Sequence, residues 1–350
     1  MIVIGADTHK NTHALAAIDA GTGEVRGERE IPADEKGHRD ALRWAHKLDS
    51  EVVWALEDCR HVFHHLERAL VTSGDRVIRV SPRLMGESRR GERQPGKSDQ
   101  IDARAIARAV LRDGVEQFPS AHLDEQAMEI RLLSDHRHNQ VTQITRLTNR
   151  LRWNLVILDP ALEASIPARK MDFPCHLNRV TRRLRAMKPS ARVRIAKEQI
   201  RVIRDLSRQA TLLERELHSL IADYRPELLA EVGCGTITAA ILIGQTAGAE
   251  RFATDAQFAR MAGVAPIPAS SGKRERHRLH RGGNRRMNHA LHIIALTRAR
   301  RDPKTKAYLQ RKEAEGKSWM EAMRCLKRQL ARHFHRLLLR PPASCYSLCA

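Results

Sequence analysis

No stretch of this 350-residue sequence is apolar for long enough to cross a bilayer. The purely apolar runs are short, as at Ala239 to Ile243, whereas a membrane helix needs about 20 residues. The opening MIVIGADTHK lacks a basic stretch leading into an extended apolar core and a small-residue cleavage site, so it does not read as a secretory signal. Cysteine is scarce and scattered. Cys59, Cys175, Cys234, Cys325, Cys345 and Cys349 contain no C-x-x-C pair, which excludes a zinc module and a disulfide framework and fits a reducing cytoplasm. The 18 histidines offer no ligand set with zinc spacing. Acidic charge is also in short supply: 41 Asp and Glu stand against 62 Lys and Arg, a net charge of +21. What is present, 42% hydrophobic and 29% charged residues, belongs to a folded chain of two or three domains rather than a disordered one.

The positive excess is unevenly placed. Residues 1–150 hold 23 basic and 24 acidic residues, residues 151–250 hold 16 and 11, and residues 251–350 hold 23 and 6. A polyanion, most plausibly nucleic acid, is the expected partner of the last third. A basic surface kept for solubility has no reason to concentrate in one third of the chain.

The first 120 residues alternate strand and helix signals. MIVIGAD, THALAAID and EVRGEREI, with the turn Ala20-Gly21-Thr22-Gly23, predict two successive hairpins. A helix over Asp34 to Leu48 with Asp34 as N-cap, the buried strand EVVWALE, a helix over His61 to Thr72 and the strand DRVIRV complete a mixed α/β sheet. From Asp99 the chain turns helical, first to a stop at Gly114 and then over Asp124 to Leu158. After a proline-containing break, Pro189 to Tyr224 carries Ile195, Ile200, Ile203, Leu206, Leu213 and Leu217 near heptad spacing. That stretch reads as a coiled coil joining copies of the chain, or as one arm of an intramolecular hairpin. Gly233 and Gly235 make a tight turn before an apolar helix. This resembles a helix-hairpin-helix, whose open backbone N–H groups hold phosphate, or equally an ordinary packing turn. The expected domains are 1–120, a helical connector over 121–225, a basic helical domain over 226–340 and a tail over 341–350.

One motif match is misleading. Gly91 to Ser98 satisfies G-x-x-x-x-G-K-[ST], but the preceding SPRLMGESRR is polar. A phosphate-binding loop of that type needs a buried strand leading into it. The carboxylates are more informative. Asp7 ends the first strand, Glu57 ends EVVWALE, and Asp99 and Asp102 sit one turn apart at a helix start. Carboxylates gathered from three elements repel unless cations neutralise them. Two divalent ions about 3.5–4 Å apart on such a set are the usual arrangement for in-line phosphodiester displacement. Mg²⁺ suits hard oxygen ligands. His9 lies near Asp7 in sequence and reads as a polar residue at a strand end.

Ile4-Gly5-Ala6-Asp7-Thr8-His9-Lys10, Leu56-Glu57 and Lys97-Ser98-Asp99-Gln100-Ile101-Asp102-Ala103-Arg104 resemble the RuvC-like domain of DEDD-type insertion-sequence transposases. Gly233-Cys234-Gly235 to Phe252, Phe258 to Pro266, Ser270 to Lys273 and Arg281 to Arg286 resemble the second domain of the same family. The resemblance spans about residues 1–340, with both halves in the expected order. It implies an RNase H-like (RuvC-like) mixed-sheet domain, a long-helix connector and a helical C-terminal domain. Asp7, Glu57, Asp99 and Asp102 would hold Mg²⁺, two ions in number and replaceable by Mn²⁺. Ser271, before Gly272, would be the nucleophile, with Ser270 as runner-up.

The resemblance further implies donor and target DNA as partners, a structured guide RNA, and dimers or tetramers, with no membrane. Lys273, Arg274, Arg276, Arg278, Arg281, Arg285 and Arg286 would then contact nucleic-acid backbone. Two other readings compete. A junction-resolving endonuclease would use water as nucleophile, and a non-catalytic nucleic-acid-binding protein would carry a degenerate tetrad.

Overall fold

The computed structural model describes residues 1–57, 64–80, 84, 98–121, 124–269, 277–280 and 282–341. Five strands, β1 (Ile2–Thr8), β2 (Thr12–Asp19), β3 (Val25–Pro32), β4 (Val52–Glu57) and β5 (Arg76–Val80), form one sheet of order β3-β2-β1-β4-β5. The two hairpins are antiparallel and the last two strands add in parallel. β1 is buried along its whole length, as a central strand covered on both faces must be. β3 is charged and largely exposed, as suits an edge.

Alternation along β1 assigns its two faces. Ile2, Ile4 and Ala6 pack with Leu15, Trp54 and Leu56 against Ala41 and Ala45 of α1 (Glu35–Leu48) and Leu66 and Leu70 of α2 (His64–Thr72). The opposite face, with Val3, Val53 and Ile78, packs against Ile106, Ala107 and Val110 of α3 (Asp99–Asp113). The expected caps form. Asp34 accepts from Gly37 N at 2.7 Å to start α1, and Gly114, at φ 88°, ends α3.

Gly5 governs how α3 sits. A Cβ there would lie 1.9 Å from the Ala103 carbonyl oxygen. The helix therefore rests directly on the β1 backbone, along a small-residue seam that Ala14, Ala16 and Ala103 continue. Any side chain at position 5 would force α3 away from the sheet.

The contacts divide the chain into two units, 1–125 with 246–341 and 126–245 among the described residues. The contact divisions fall at 125/126 and 245/246, where the sequence places boundaries at 120 and 225. The helical unit contains α4 (Glu125–Leu158), α5 (Pro160–Ala164), α6 (Pro174–Arg185), α7 (Ala191–Tyr224), α8 (Pro226–Leu229) and α9 (Thr236–Thr246). Gly244 explains why α9 groups with α4: a Cβ there would be 2.7 Å from Arg131 Cα. By contacts, the Gly233–Gly235 turn groups with the helices of this unit.

α4 and α7 pair as an antiparallel coiled coil within the chain. Asn154 meets Gln199 at 3.1 Å, Gln140 meets Gln209 at 3.0 Å and Arg137 meets Glu214 at 2.7 Å. The numbers fall on one helix as they rise on the other. The buried stripe on α7 is Val193, Ala196, Ile200, Ile203, Ala210, Leu217, Ile221 and Tyr224, a strict alternation of three and four with polar residues at two of its places. Ile195, expected in the stripe, is 45% exposed. It was one position out of phase because two good apolar neighbours, Val193 and Ala196, flank it.

The first unit is completed by α10 (Asp255–Met261), the short strands β6 (Pro266–Pro268) and β7 (His277–Leu279), α11 (Arg285–Arg301), α12 (Pro303–Ala314) and α13 (Trp319–Leu338). Phe252, Phe258 and His335 form its aromatic core, with the Phe258 and His335 rings stacked at 4.9 Å. Gln257 of α10 donates to the Glu116 carbonyl at 2.8 Å, tying this region to the sheet-bearing part of the same unit.

Candidate metal centre and nucleic-acid interface

The four carboxylates lie on the α3 face of the sheet. Asp7 continues the Val3, Gly5 alternation of β1. Leu56 of β4 is in register with Ala6, so Glu57 comes next to Asp7 across the parallel pair. Ser98 fixes the start of α3: its hydroxyl accepts from Ile101 N at 3.3 Å. The same hydroxyl is thus a helix cap, and Gly91 to Lys97 of the misleading motif lie outside the described residues. The first turn of α3 presents Asp99 and Asp102 on one side, and Gly5 lets that turn approach Asp7.

Asp7 and Asp102 retain only 7% and 5% of their exposure. Burial holds the Asp7 carboxyl above its usual range. His9 opposes that shift, while Asp102, Asp99 and Glu57 add to it. One buried carboxylate therefore feels all three others, a concentration of negative charge that a cation relieves.

His9, expected as a polar residue at a strand end, sits among the carboxylates. Its Nε2 lies 3.3 Å from Asp7 Oδ2 and 3.3 Å from Asp99 Oδ1. Ligand atoms of Asp7, His9 and Asp99 all fall within 4.8 Å of one another. The signal was present in the two-residue spacing from Asp7, which returns a side chain to the same face, but the turn after β1 that carries His9 inward was not legible. Two carboxylate oxygens and an imidazole so close together, with two more carboxylates beside them, fit a divalent cation.

The remaining expected residues divide by region. Gly233 has φ +83°, a conformation that favours glycine, whereas a Cβ at Gly235 would meet nothing within 4 Å. Arg278 lies on β7, opposite Ile267. Arg285 and Arg286 open α11, whose first turn is capped by Asn284, which accepts from both Arg286 N and Met287 N. Ser270, Ser271, Lys273, Arg274, Arg276 and Arg281 lie outside the described residues.

The base of the β6–β7 hairpin is clamped in a way the sequence did not announce. Gly263 has φ +67°, and a Cβ on Gly283 would lie 2.2 Å from Gly263 Cα. Asn288 donates to the Gly263 carbonyl at 2.6 Å and accepts from Lys327 Nζ at 2.8 Å. Lys327 is buried, and burial, followed by the Arg324 charge, lowers its pKa.

A five-stranded mixed sheet of this order, with carboxylates at the ends of β1 and β4 and the start of α3, defines an RNase H-like enzyme of the divalent-metal-dependent class. Residues 4–160 match the DEDD transposase profile of the IS110 group, and residues 227–310 match the profile of the IS116/IS110/IS902 transposase family. An uncharacterized 44.8 kDa protein of insertion element IS116 from Streptomyces clavuligerus is 26% identical, over 94% of this chain and 92% of its own. An uncharacterized 42 kDa protein of insertion element IS900 from Mycobacterium paratuberculosis is 25% identical, over 93% and 92%. A solved structure of T. thermophilus RuvC in complex with a Holliday junction substrate aligns with 35% of this chain and 99% of its own, at 15% identity and a TM-score of 0.27. The chain belongs to the IS110 family of insertion-sequence transposases, enzymes that act on DNA.

Proposed function

We propose that this chain cleaves and rejoins DNA strands at the ends of an insertion sequence and at its target, through a covalent phosphoserine intermediate on Ser271. The observation that carries the reading is the convergence of Asp7, His9 and Asp99 ligand atoms within 4.8 Å, beside Asp102 and Glu57. Asp7, Glu57, Asp99 and Asp102 would hold Mg²⁺. A bound divalent ion there supplies charge neutralisation at the scissile phosphate and a lowered pKa for an attacking hydroxyl. His9, within reach of two of those carboxylates, holds a proton at Nε2 or shares in ligation.

In the step itself the Ser271 hydroxyl gives up its proton, an Oγ–P bond forms, and the bond from phosphorus to the leaving strand oxygen breaks. That oxygen takes up a proton. The phosphodiester count is conserved, so attack by a new strand hydroxyl on the phosphoserine reseals the backbone and returns the proton to Ser271. No nucleotide hydrolysis is needed, which agrees with Ser98 acting as a helix cap.

Lys273, Arg274, Arg276, Arg278, Arg281, Arg285 and Arg286 position the backbone, and the Gly233–Gly235 turn offers further N–H donors. A structured RNA guides target choice, and the chain works as a cytoplasmic dimer or tetramer. The test is to incubate the protein with labelled donor-end DNA, Mg²⁺ and the RNA flanking its gene, then denature and look for a protein-linked strand. A Ser271-linked strand is the expected product. Cleavage that survives Ser271→Ala without any adduct would instead establish water as the nucleophile. Recombination that survives Asp7→Ala would overturn the enzymatic reading altogether.

A further inference from the structure

The chemistry above uses the carboxylate end of the sheet and residues 266–286. It leaves unused the most cationic stretch of the helical unit. From Arg179 to Arg208 the sequence holds eleven Lys and Arg residues against two acids, Glu198 and Asp205. The net charge of the middle third conceals this run, because the other acids of that third lie outside it.

The fold gathers part of this charge in one place. Lys197, Arg201, Arg204 and Arg208 recur at three- and four-residue steps along α7, so they share one face. With Thr181 of α6 they line an open cleft of about 180 Å³ floored by Ile200. The row of cations extends about 16 Å along the helix. Arg204 is oriented by neutral groups: its Nη2 donates to Asn178 Oδ1 at 2.9 Å and to Thr181 Oγ1 at 3.0 Å. Its position is fixed, and among the described residues it makes no ion pair. The one carboxylate in the cleft, Asp205, is engaged by Arg208 at 3.2 Å. Among the described residues, Lys197 and Arg201 make no ion pair. A solvated helix face normally interleaves charges of both signs, and this one does not.

We propose that the cleft between α6 and α7 grips the phosphodiester backbone of a nucleic acid, along about five nucleotide steps of ~3.4 Å each. Guanidinium forks match phosphate oxygens in pairs, so Arg201, Arg204 and Arg208 supply orientation as well as charge. Contacts of this kind carry no sequence information. The cleft therefore holds the partner in place while another region reads or cuts it. The inference rests on the nucleic-acid partner of the preceding reading and is independent of its serine chemistry.

DNA and RNA offer the same backbone chemistry, and the experiment separates them. The full-length protein is titrated, without metal, against a fluorescent DNA duplex and against a fluorescent RNA hairpin at ~50–300 mM salt. The double variant Lys197→Ala/Arg201→Ala is expected to weaken at least one of the two complexes about tenfold. It should also flatten the corresponding log–log salt slope by about two. Lys197→Gln/Arg201→Gln should do the same, which guards against an effect of lost side-chain packing. Arg215→Ala, exposed on the same helix outside the cleft, should change neither quantity. Loss confined to one nucleic acid identifies the ligand. Unaltered binding of both by the cleft variants overturns the proposal, as does an equal loss in Arg215→Ala. The adduct assay reads the strand-exchange chemistry on its own, so a failure of that reading is seen separately from a failure of this one.

Discussion

Asp7 stands at the point where buried position and charge crowding meet, and its substitution tests the site most directly. Asp7→Asn or Asp99→Ala should lower strand cleavage beyond the ~100-fold that loss of a supporting residue costs, with DNA affinity retained in a metal-free binding assay. His9→Ala should cost about 10–100-fold in cleavage, with partial recovery at higher metal concentration if its place is supportive. A second pair of residues lies on the other face of the sheet. His13 and His38 are both buried, stacked with ring planes 9° apart and Nε2 atoms 3.4 Å apart. Burial and the neighbouring His38 lower the His13 pKa to about 4. The unfolded chain binds this proton near pH 6.5 and the folded chain does not. Stability is therefore fully present above pH 6.5 and declines as pH falls toward 4, by at most about 3 kcal/mol from this group. Denaturant midpoints measured across that window should fall steeply for the native chain and less steeply for His13→Gln.

Secondary-structure elements carry the next set of consequences. Gly5 lets α3 rest on the β1 backbone and deliver two carboxylates to the end of that strand. Gly5→Ala should destabilise the first unit by about 1–3 kcal/mol or more and abolish cleavage although every carboxylate is intact; a thermal melt alongside the cleavage assay distinguishes this from simple unfolding. In the coiled coil, Leu151→Ala should cost about 2–5 kcal/mol, read as a loss of helical signal at lower denaturant.

What the sequence made legible follows from range. The strands, the Asp34 start, the Gly114 stop and the bounds of both long helices are specified by near neighbours, and they form where the sequence pattern places them. The strand-end positions of Asp7 and Glu57 and the helix-start pair Asp99 and Asp102 suggest a shared site, and the family resemblance strengthens it, but no local pattern states that α3 crosses β1. The His9 contact depends on a turn, and the Gly263–Asn288–Lys327 clamp joins residues far apart in sequence. Neither leaves a periodic trace. The phase of α7 was missed by a single position because an apolar residue, Ile195, sits on the outside.

For the molecule as a whole, charge placement governs how it meets its partner. The sheet-bearing first 150 residues have no basic excess, while the last hundred have a large one. Binding should therefore weaken steeply with salt, and Arg285→Ala/Arg286→Ala should flatten the log–log slope by about two if both touch phosphate. An unchanged slope in an anisotropy titration would remove those two residues from the interface.

The path of the chain between its two units has a further consequence. It leaves the first unit after Glu125 and re-enters at Thr246, and within the helical unit the two ends run side by side where Gly244 touches Arg131. A hairpin whose entrance and exit adjoin is a cassette. A change of length within it leaves the sheet, and the spacing of Asp7 from Asp99, as they are.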